Sequence, residues 1–225
     1  MRKSQPQISE DKILEASWAI LGEEGIEKLS MRKLAERLGI QAPSLYWYFK
    51  SKQDLYQRLA NDIARIILGE FQSEGDWKEQ LHHFAVTTKN VLKRYPCSTQ
   101  IMMMTLPNEP NLIRFTNRLL QCVEDTSLTE EQKIQVVTTT LNYVYFFVLD
   151  DYQHQLNVAE MSKQRDELPG EELIALLNTM PEKEAGLFRN LFMNGLFEMM
   201  GTDQAFEFGL KIILLGIEQV MIEKK

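Results

Sequence analysis

Cysteine is nearly absent from this sequence of 225 residues, which contains only Cys97 and Cys122. The two do not form a C-x-x-C motif, and no cluster of histidines accompanies them. A disulfide framework or a structural zinc site is therefore not expected, and a reducing cytosol is the expected compartment.

Long apolar runs are also lacking. The first residues, MRKSQPQISEDK, are basic but do not contain the apolar stretch that a signal peptide needs. No later run of about 18 apolar residues could span a bilayer. The sequence predicts a soluble cytoplasmic protein that has no membrane partner.

Motifs of catalysis and cofactor binding are missing as well: there is no nucleophilic Ser or Cys motif, phosphate loop or H-E-x-x-H. His154 follows Asp150 by one helical turn, and His82 is next to His83, but adjacent histidines point in different directions on a helix. We expect no catalytic residue, no cofactor, no metal and no enzyme activity. A metal-dependent enzyme built on Asp150, Asp151 and His154 is an alternative.

An excess of positive charge is lacking in the chain as a whole, whose net charge is −7. Up to Ile66, however, 11 Lys and Arg stand against 9 Asp and Glu, which leaves a net charge of −9 on the remainder. Between Lys28 and Lys52, six basic residues accompany Glu36 alone, a local net charge of +5. Such a patch is typical of a phosphate-binding face attached to a larger domain, and a solvated helix face is the alternative.

Apolar residues recur with helical spacing nearly everywhere, and no stretch alternates with period two, so we expect an all-α fold. Ser9 and Ser30 are suitable N-caps for the first two helices, and Gly39 is suited to end the second. Pro43 fits the first position of a short third helix. Ser51, with Asp54 three residues later, predicts a capping box at the start of a fourth.

Further helices are expected over 77–94, 110–125, 130–155, 171–178, 183–200 and 203–224. The helix from 130 and the last helix each carry apolar residues on two sides, so each needs two partners. One side can face the core and the other a second subunit, which predicts a twofold four-helix interface in a homodimer. Burial inside a large monomer is the alternative.

Two short helices joined by residues 39–42 and flanked by longer helices form a helix-turn-helix pattern, although an ordinary helical hairpin has the same spacing. The segment LSMRKLAERLGIQAPSLYWYFKSKQDL closely resembles the DNA-binding domain of TetR-family transcriptional repressors. The resemblance is carried by Leu34-Ala35, Gly39, Leu45 to Phe49 and Lys50 to Lys52. It implies a three-helix head at 1–52, a linking helix at 52–70, and a larger helical ligand-binding and dimerisation domain at 71–225.

The resemblance also implies which residues contact DNA: Arg32, Ala42, Pro43, Ser44, Tyr46, Trp47, Tyr48 and Lys52. Tyr46 and Lys52 suit phosphate contacts, while Arg32 suits a bidentate contact to guanine. We expect Leu45 and Phe49 to pack in the core, and the same packing role is expected of Trp47, because aromatics at helical spacing usually do so. Pro43 and Ser44 suit a thymine methyl and a base edge. Ala42 departs from the amide side chain of the tetracycline repressor, which implies a different operator.

In the C-terminal part, WKEQLHHFAVTTKNVLKRY, VLDDYQHQ and AFEFGLKIILLGIEQ resemble segments of the tetracycline repressor subgroup, in the same order. In that subgroup an imidazole holds the magnesium ion of the drug, with Thr and Glu acting through water. Here the imidazole position is Met102, Thr105 is retained, and Asp150 replaces the Glu. Magnesium prefers oxygen ligands to a thioether, so induction by magnesium–tetracycline is not expected.

The C-terminal part is rich in methionine and aromatic residues. A ligand pocket lined by them suits a flat or adaptable amphipathic inducer, although such residues are also typical of a helical core. The expected ligand-binding residues are Phe84, Thr88, Met102, Thr105, Leu106, Arg118, Asn142, Tyr143, Phe146 and Asp150. We therefore expect a homodimeric repressor that binds a palindromic double-stranded DNA operator and is released by a small-molecule inducer. A constitutive or architectural DNA-binding regulator without an inducer is the alternative.

Overall fold

The computed structural model describes residues 8–72, 74–164, 169–195 and 199–223, with 158–164 and 169–170 described by backbone alone. Throughout these residues the regular structure is helical and no strand occurs. This confirms the expected all-α fold. The chain divides into two compact units, Met1–Thr138 and Thr139–Lys225.

Three short helices form the head of the first unit: α1 (Glu10–Glu24), α2 (Met31–Leu38) and α3 (Ala42–Leu45). The hydroxyl of Ser9 accepts a hydrogen bond from the Lys12 N–H, and that of Ser30 accepts one from the Lys33 N–H. Both predicted N-caps are confirmed. Gly25 ends α1, and Pro43 is the second residue of α3, not the first as its fixed φ suggested.

The remaining helices of the first unit are α4 (Lys52–Glu70), α5 (Trp77–Arg94), α6 (Ser98–Met103) and α7 (Pro110–Gln121). The Ser51 hydroxyl accepts from the Asp54 N–H, as predicted, but the Asp54 carboxylate accepts from the Lys50 N–H instead of the Ser51 N–H. Helix α4 packs against α5, α6 and α7, and most of its apolar side chains are buried, among them Leu55, Leu59, Ile63 and Ile67. The linking helix is therefore the centre of this unit.

Helix α8 (Glu130–Gln164) begins in the first unit and continues into the second. It is followed by α9 (Pro169–Thr179), α10 (Glu182–Met193) and α11 (Asp203–Ile222). The guanidinium of Arg189 on α10 donates to the carbonyls of Leu177 and Met180, which fixes α10 against the end of α9. None of the described helices is both long and apolar enough to cross a membrane.

Candidate nucleic-acid interface and ligand-binding region

A tight turn joins α2 to α3. Gly39 has φ 67° and ψ 32°, the left-handed conformation that glycine adopts without steric cost, and its N–H donates to the Glu36 carbonyl. The Ile40 N–H donates to the carbonyl of Ala35, which closes the end of α2. The helix-turn-helix geometry predicted from the glycine is confirmed.

Below α3, Leu45 and Phe49 are completely buried. The three aromatic residues between them are exposed: Tyr46 by 53%, Trp47 by 90% and Tyr48 by 39%. The expectation that Trp47 packs in the core is wrong, because α3 ends at Leu45 and the following turn directs the indole to solvent. An aromatic platform therefore projects from the head.

A depression of about 500 Å³ lies beside this platform. Its lining consists of Ile8, Gly39, Ile40, Gln41, Ser44, Trp47 and Tyr48. The hydroxyl of Tyr48 donates to the Ile8 carbonyl at 2.7 Å, which ties the chain before α1 to the end of the turn. Among the predicted DNA-contacting residues, Arg32 and Pro43 are exposed, and Ala42, Ser44 and Lys52 are half-buried.

The basic patch is smaller than its residue count suggests. Lys33 forms an ion pair with Glu24, and Arg37 donates two hydrogen bonds of 2.6 Å to the carboxylate of Glu23. The hydrogen bond from Arg37 lowers the pKa of Glu23, so the carboxylate stays charged. Two of the six cations therefore join α2 to α1, while Lys28, Arg32, Lys50 and Lys52 form none of the described ion pairs.

A row of amides on α4, which we call the amide row (Gln53, Gln57 and Asn61), binds the chain from the end of α6 to the first turn of α7. Gln53 donates to the Met104 carbonyl at 2.9 Å, and the Asn111 N–H donates to the Asn61 carbonyl oxygen at 2.8 Å. Gln57 both donates to the carbonyl of Leu106 and accepts from its N–H. This row was not predicted from the sequence, although the spacing of four residues places the three amides on one face of a helix.

Six of the predicted ligand-binding residues belong to the first unit. Phe84 and Thr88 lie one turn apart on α5 and are completely buried; Met102 on α6 is 8% exposed. Within the described residues, the Thr88 hydroxyl has no hydrogen-bond partner.

The other three predicted ligand-binding residues of the first unit, Thr105, Leu106 and Arg118, differ in their surroundings. Thr105 donates to the carbonyls of Ile101 and Met102, and the Leu106 side chain is exposed. The guanidinium of Arg118 lies 5.3 Å from the centre of the Phe71 ring, over its face. Phe71 in turn contacts Phe84, whose ring also contacts Phe115 at 5.1 Å. An aromatic cluster with one cation at its edge therefore borders this region.

The other four predicted ligand-binding residues lie on α8 in the second unit. Asn142, Phe146 and Asp150 follow one another at intervals of four and are all exposed, so they share one face of the helix. Tyr143 differs: its ring stacks on Phe206 of α11 at 5.3 Å, and its hydroxyl donates to the Phe206 carbonyl at 2.8 Å. Burial raises the pKa of Tyr143, and Glu207 raises it further.

Helix α11 has two apolar stripes with opposite surroundings. One stripe is buried: Phe206, Leu210, Leu214 and Ile217. The other is exposed: Phe208, Ile212, Leu215 and Ile222. This division agrees with the sequence expectation that the last helix is apolar on two sides.

Comparison with known proteins agrees with this architecture. Residues 13–59 match the family described as "Bacterial regulatory proteins, tetR family", and residues 71–221 match "Tetracyclin repressor-like, C-terminal domain". The class C tetracycline repressor protein of Escherichia coli is 26% identical over 96% of this chain and 93% of its own length. The class G protein of Vibrio anguillarum is 28% identical over 95% of both chains.

Solved structures show the same fold. Apo ActR from Streptomyces coelicolor superposes with a TM-score of 0.76 at 20% identity, covering 97% of this chain and 98% of its own. TetR from Acinetobacter baumannii AYE superposes with a TM-score of 0.69 at 24% identity, covering 96% of this chain and 99% of its own. The chain therefore belongs to the TetR family of bacterial regulatory proteins.

Proposed function

We propose that the exposed face of the head binds a palindromic DNA operator as part of a homodimer, and that a small amphipathic molecule releases it. As a member of the TetR family, the chain is a ligand-responsive DNA-binding transcriptional repressor. The observation that carries the operator assignment is the aromatic platform, since Tyr46, Trp47 and Tyr48 are exposed directly above buried Leu45 and Phe49. A large aromatic surface that stays exposed, although the core beneath it is fully packed, is typical of a binding face.

Phosphate contacts and base contacts fall to different residues of this face. Tyr46 offers a hydroxyl to a phosphate, and Lys52 adds a positive charge at the first turn of α4, where backbone N–H groups also favour an anion. Arg32 on α2 is exposed and carries the planar donor fork that fits guanine. Pro43 and Ser44 lie on α3, within the segment that enters the major groove in a helix-turn-helix. Ala42 and Trp47 complete the contact set.

A second copy of the chain covers the exposed stripe of α11. Phe208 is 67% exposed and Ile212 57%, on a helix whose other side is already buried. On α8, Phe146 is 64% exposed. Two such helices from each protomer form a four-helix interface, and the twofold axis places two heads about 34 Å apart, one turn of DNA. The operator is then an inverted repeat.

The inducer is a flat amphipathic molecule that carries hydrogen-bonding groups. Three features of the first unit support this: the aromatic cluster around Phe84, the adaptable side chain of Met102, and the Thr88 hydroxyl, for which the described part of the chain offers no hydrogen-bond partner. A ligand oxygen or nitrogen at Thr88 would satisfy that hydroxyl. Met102 is a thioether where a magnesium–tetracycline complex needs a nitrogen or oxygen ligand, so this complex is not the inducer.

For release, the inducer must bind the arrangement that cannot hold DNA more tightly than it binds the DNA-competent arrangement. For typical coupling, the two binding free energies differ by about 1–3 kcal/mol. The amide row provides a physical connection, because α6 carries Met102 and the residues just after it are hydrogen-bonded to α4. The first residue of α4, Lys52, belongs to the proposed DNA face. A shift of α6 is thus transmitted to the head.

The experiment is a release assay with a fluorescent duplex that the protein itself has selected from a randomised pool. A panel of planar polycyclic compounds, neutral and cationic, is titrated in parallel with tetracycline plus magnesium. We expect at least one planar compound to release the duplex, and magnesium–tetracycline to leave it bound. Thr88→Val should weaken the effect of the active compound, because the hydroxyl is lost at nearly constant volume. Release by magnesium–tetracycline would contradict the inducer assignment, and no release by any compound would favour a constitutive regulator.

A further inference from the structure

Three consecutive residues, Tyr95, Pro96 and Cys97, connect α5 to α6 and lie against α1; we call them the pivot turn. The face of α1 that they contact consists of Trp18, Leu21 and Gly22. These positions are three and four residues apart, so they form one patch on the helix. The contact joins the DNA-binding head to the helix that carries Met102.

Each residue of the pivot turn has its own partner on α1. The rings of Tyr95 and Trp18 meet edge to face, with 5.2 Å between their centres. The thiol of Cys97 donates to the Leu21 carbonyl at 3.8 Å. Pro96 lies over Gly22, where a Cβ would be 3.9 Å from its Cγ.

The pivot turn is tightly constrained. The Ser98 N–H donates to the Tyr95 carbonyl at 3.0 Å, and the Ser98 hydroxyl donates to the Leu92 carbonyl at the same distance. Cys97 has φ 65°, and among the described residues it is the one non-glycine with a positive φ. A residue with a Cβ holds this conformation only when its surroundings determine it, so strain at this position is expected to respond to movement of α6.

Helix α6 is consequently held at both ends, by α1 of the head and by the linking helix α4. Its N-cap, Cys97, bonds to α1, while its C-cap, Met104, accepts a hydrogen bond from Gln53 of α4. Between these two ends lie Met102 and Thr99, whose buried hydroxyl has no hydrogen-bond partner among the described residues. A ligand that tilts such a short helix moves both ends at once.

We propose that the pivot turn is a second route of regulation, through which α6 acts on α1 in parallel with the amide row acting on α4. This inference rests on the proposed function. Trp18 and Cys97 are its positioning residues, since they hold α1 against the turn and lie outside the proposed DNA-contacting set. Binding of operator to the head then restrains the pivot turn, because coupling between two sites is reciprocal.

The test uses the two cysteines of the chain as reporters. Neither forms a disulfide, and both are buried, with Cys97 in the pivot turn and Cys122 just after α7. Two single-cysteine proteins, Cys122→Ser and Cys97→Ser, are labelled with a thiol reagent at a fixed pH. Each is measured alone, with a saturating duplex selected by the protein from a randomised pool, and with an unselected duplex of equal length.

We expect the selected duplex to slow labelling of Cys97 at least fivefold more than labelling of Cys122. Equal slowing of both cysteines would report global stabilisation by DNA and would overturn the inference, as would no slowing of either. Failure to select any duplex would overturn the proposed function as well, whereas selection without preferential protection of Cys97 would overturn the pivot alone.

A second measurement tests the same contact with a substitution on α1. Gly22→Leu introduces a side chain between α1 and Pro96, and Gly69→Leu on α4 is the matched control, since no atom lies within 4 Å of a Cβ at that position. We expect Gly22→Leu to weaken binding of the selected duplex at least threefold and Gly69→Leu to leave it unchanged. Equal affinities for the two variants would contradict the proposal.

Discussion

The side-chain amide of Gln57 pairs with both backbone groups of Leu106, donating to its carbonyl and accepting from its N–H. The two residues are separated by 49 positions and belong to different parts of the TetR architecture, the linking helix and the turn after α6. Gln57 is itself buried, which strengthens the pairing because water does not compete for these groups. A side chain of the linking helix is therefore bonded to the backbone of the ligand-binding region.

Gln57→Leu should lower the free energy of unfolding by about 1–3 kcal/mol, because both backbone groups of Leu106 lose a partner that is itself buried. Chemical denaturation measures the change. Gln135→Leu, at an exposed position on α8, is the control for adding an apolar side chain. Equal effects of the two substitutions would show that the pairing adds nothing to stability.

Tyr46→Ala and Lys52→Ala should weaken binding to every duplex, since both residues are assigned to phosphates. For Lys52→Ala, the slope of log affinity against log salt concentration should also fall by about 0.9, the value for one lost phosphate contact. Fluorescence anisotropy over a range of salt concentrations provides the data. Lys183→Ala, which removes an exposed charge from α10, should leave affinity and slope unchanged. Wild-type binding by Tyr46→Ala and Lys52→Ala at all salt concentrations would refute the assignment.

Phe208→Glu should convert the dimer to a monomer, because it places a charge at the most exposed side chain of the apolar stripe of α11. Sedimentation velocity detects the change. Ile113→Glu on α7 introduces the same charge at another exposed apolar side chain and should keep the dimer intact. A dimeric Phe208→Glu protein would mean that another surface joins the protomers.

Burial raises the pKa of the Cys122 thiol to about 11, from an ordinary value of 9.0. Since the thiolate is the reactive form, labelling of native Cys122 in the Cys97→Ser protein should keep rising from about pH 10 to about pH 11, where an exposed thiol is already almost fully ionised. The raised pKa also means that stability is lost as pH rises from 9.0 to about 11. A labelling profile that levels near pH 10 would contradict the assigned burial.

Much of the head could be predicted from single residues. The hydroxyls of Ser9 and Ser30 cap the N-termini of α1 and α2, as predicted. The predicted role of Gly39 at the end of α2 is also observed, since glycine adopts the left-handed conformation there. Helix α5 occupies 77–94 as the apolar spacing indicated. Local chemistry determines these features, so the sequence is sufficient to place them.

Other features depend on contacts that spacing does not reveal. Helix α6 was missed because it has six residues, no side-chain cap, and a left-handed cysteine at its start. Arg37 and Glu23 pair across 14 positions, and this reduced the basic patch. Trp47 was expected in the core because helical spacing was extended beyond Leu45, where α3 ends. Tertiary packing determines all three features: the short helix α6, the Arg37–Glu23 pair and the exposure of Trp47.

In the proposed complex, two heads of a dimer read an inverted repeat through the face around Tyr46. Selection of duplexes from a randomised pool, followed by measurement of the stoichiometry on the selected sequence, tests it most directly. We expect an inverted repeat with half-site centres about 34 Å apart, bound by one dimer. Selection of no preferred sequence, or of a single unrepeated site occupied by one protomer, would contradict it.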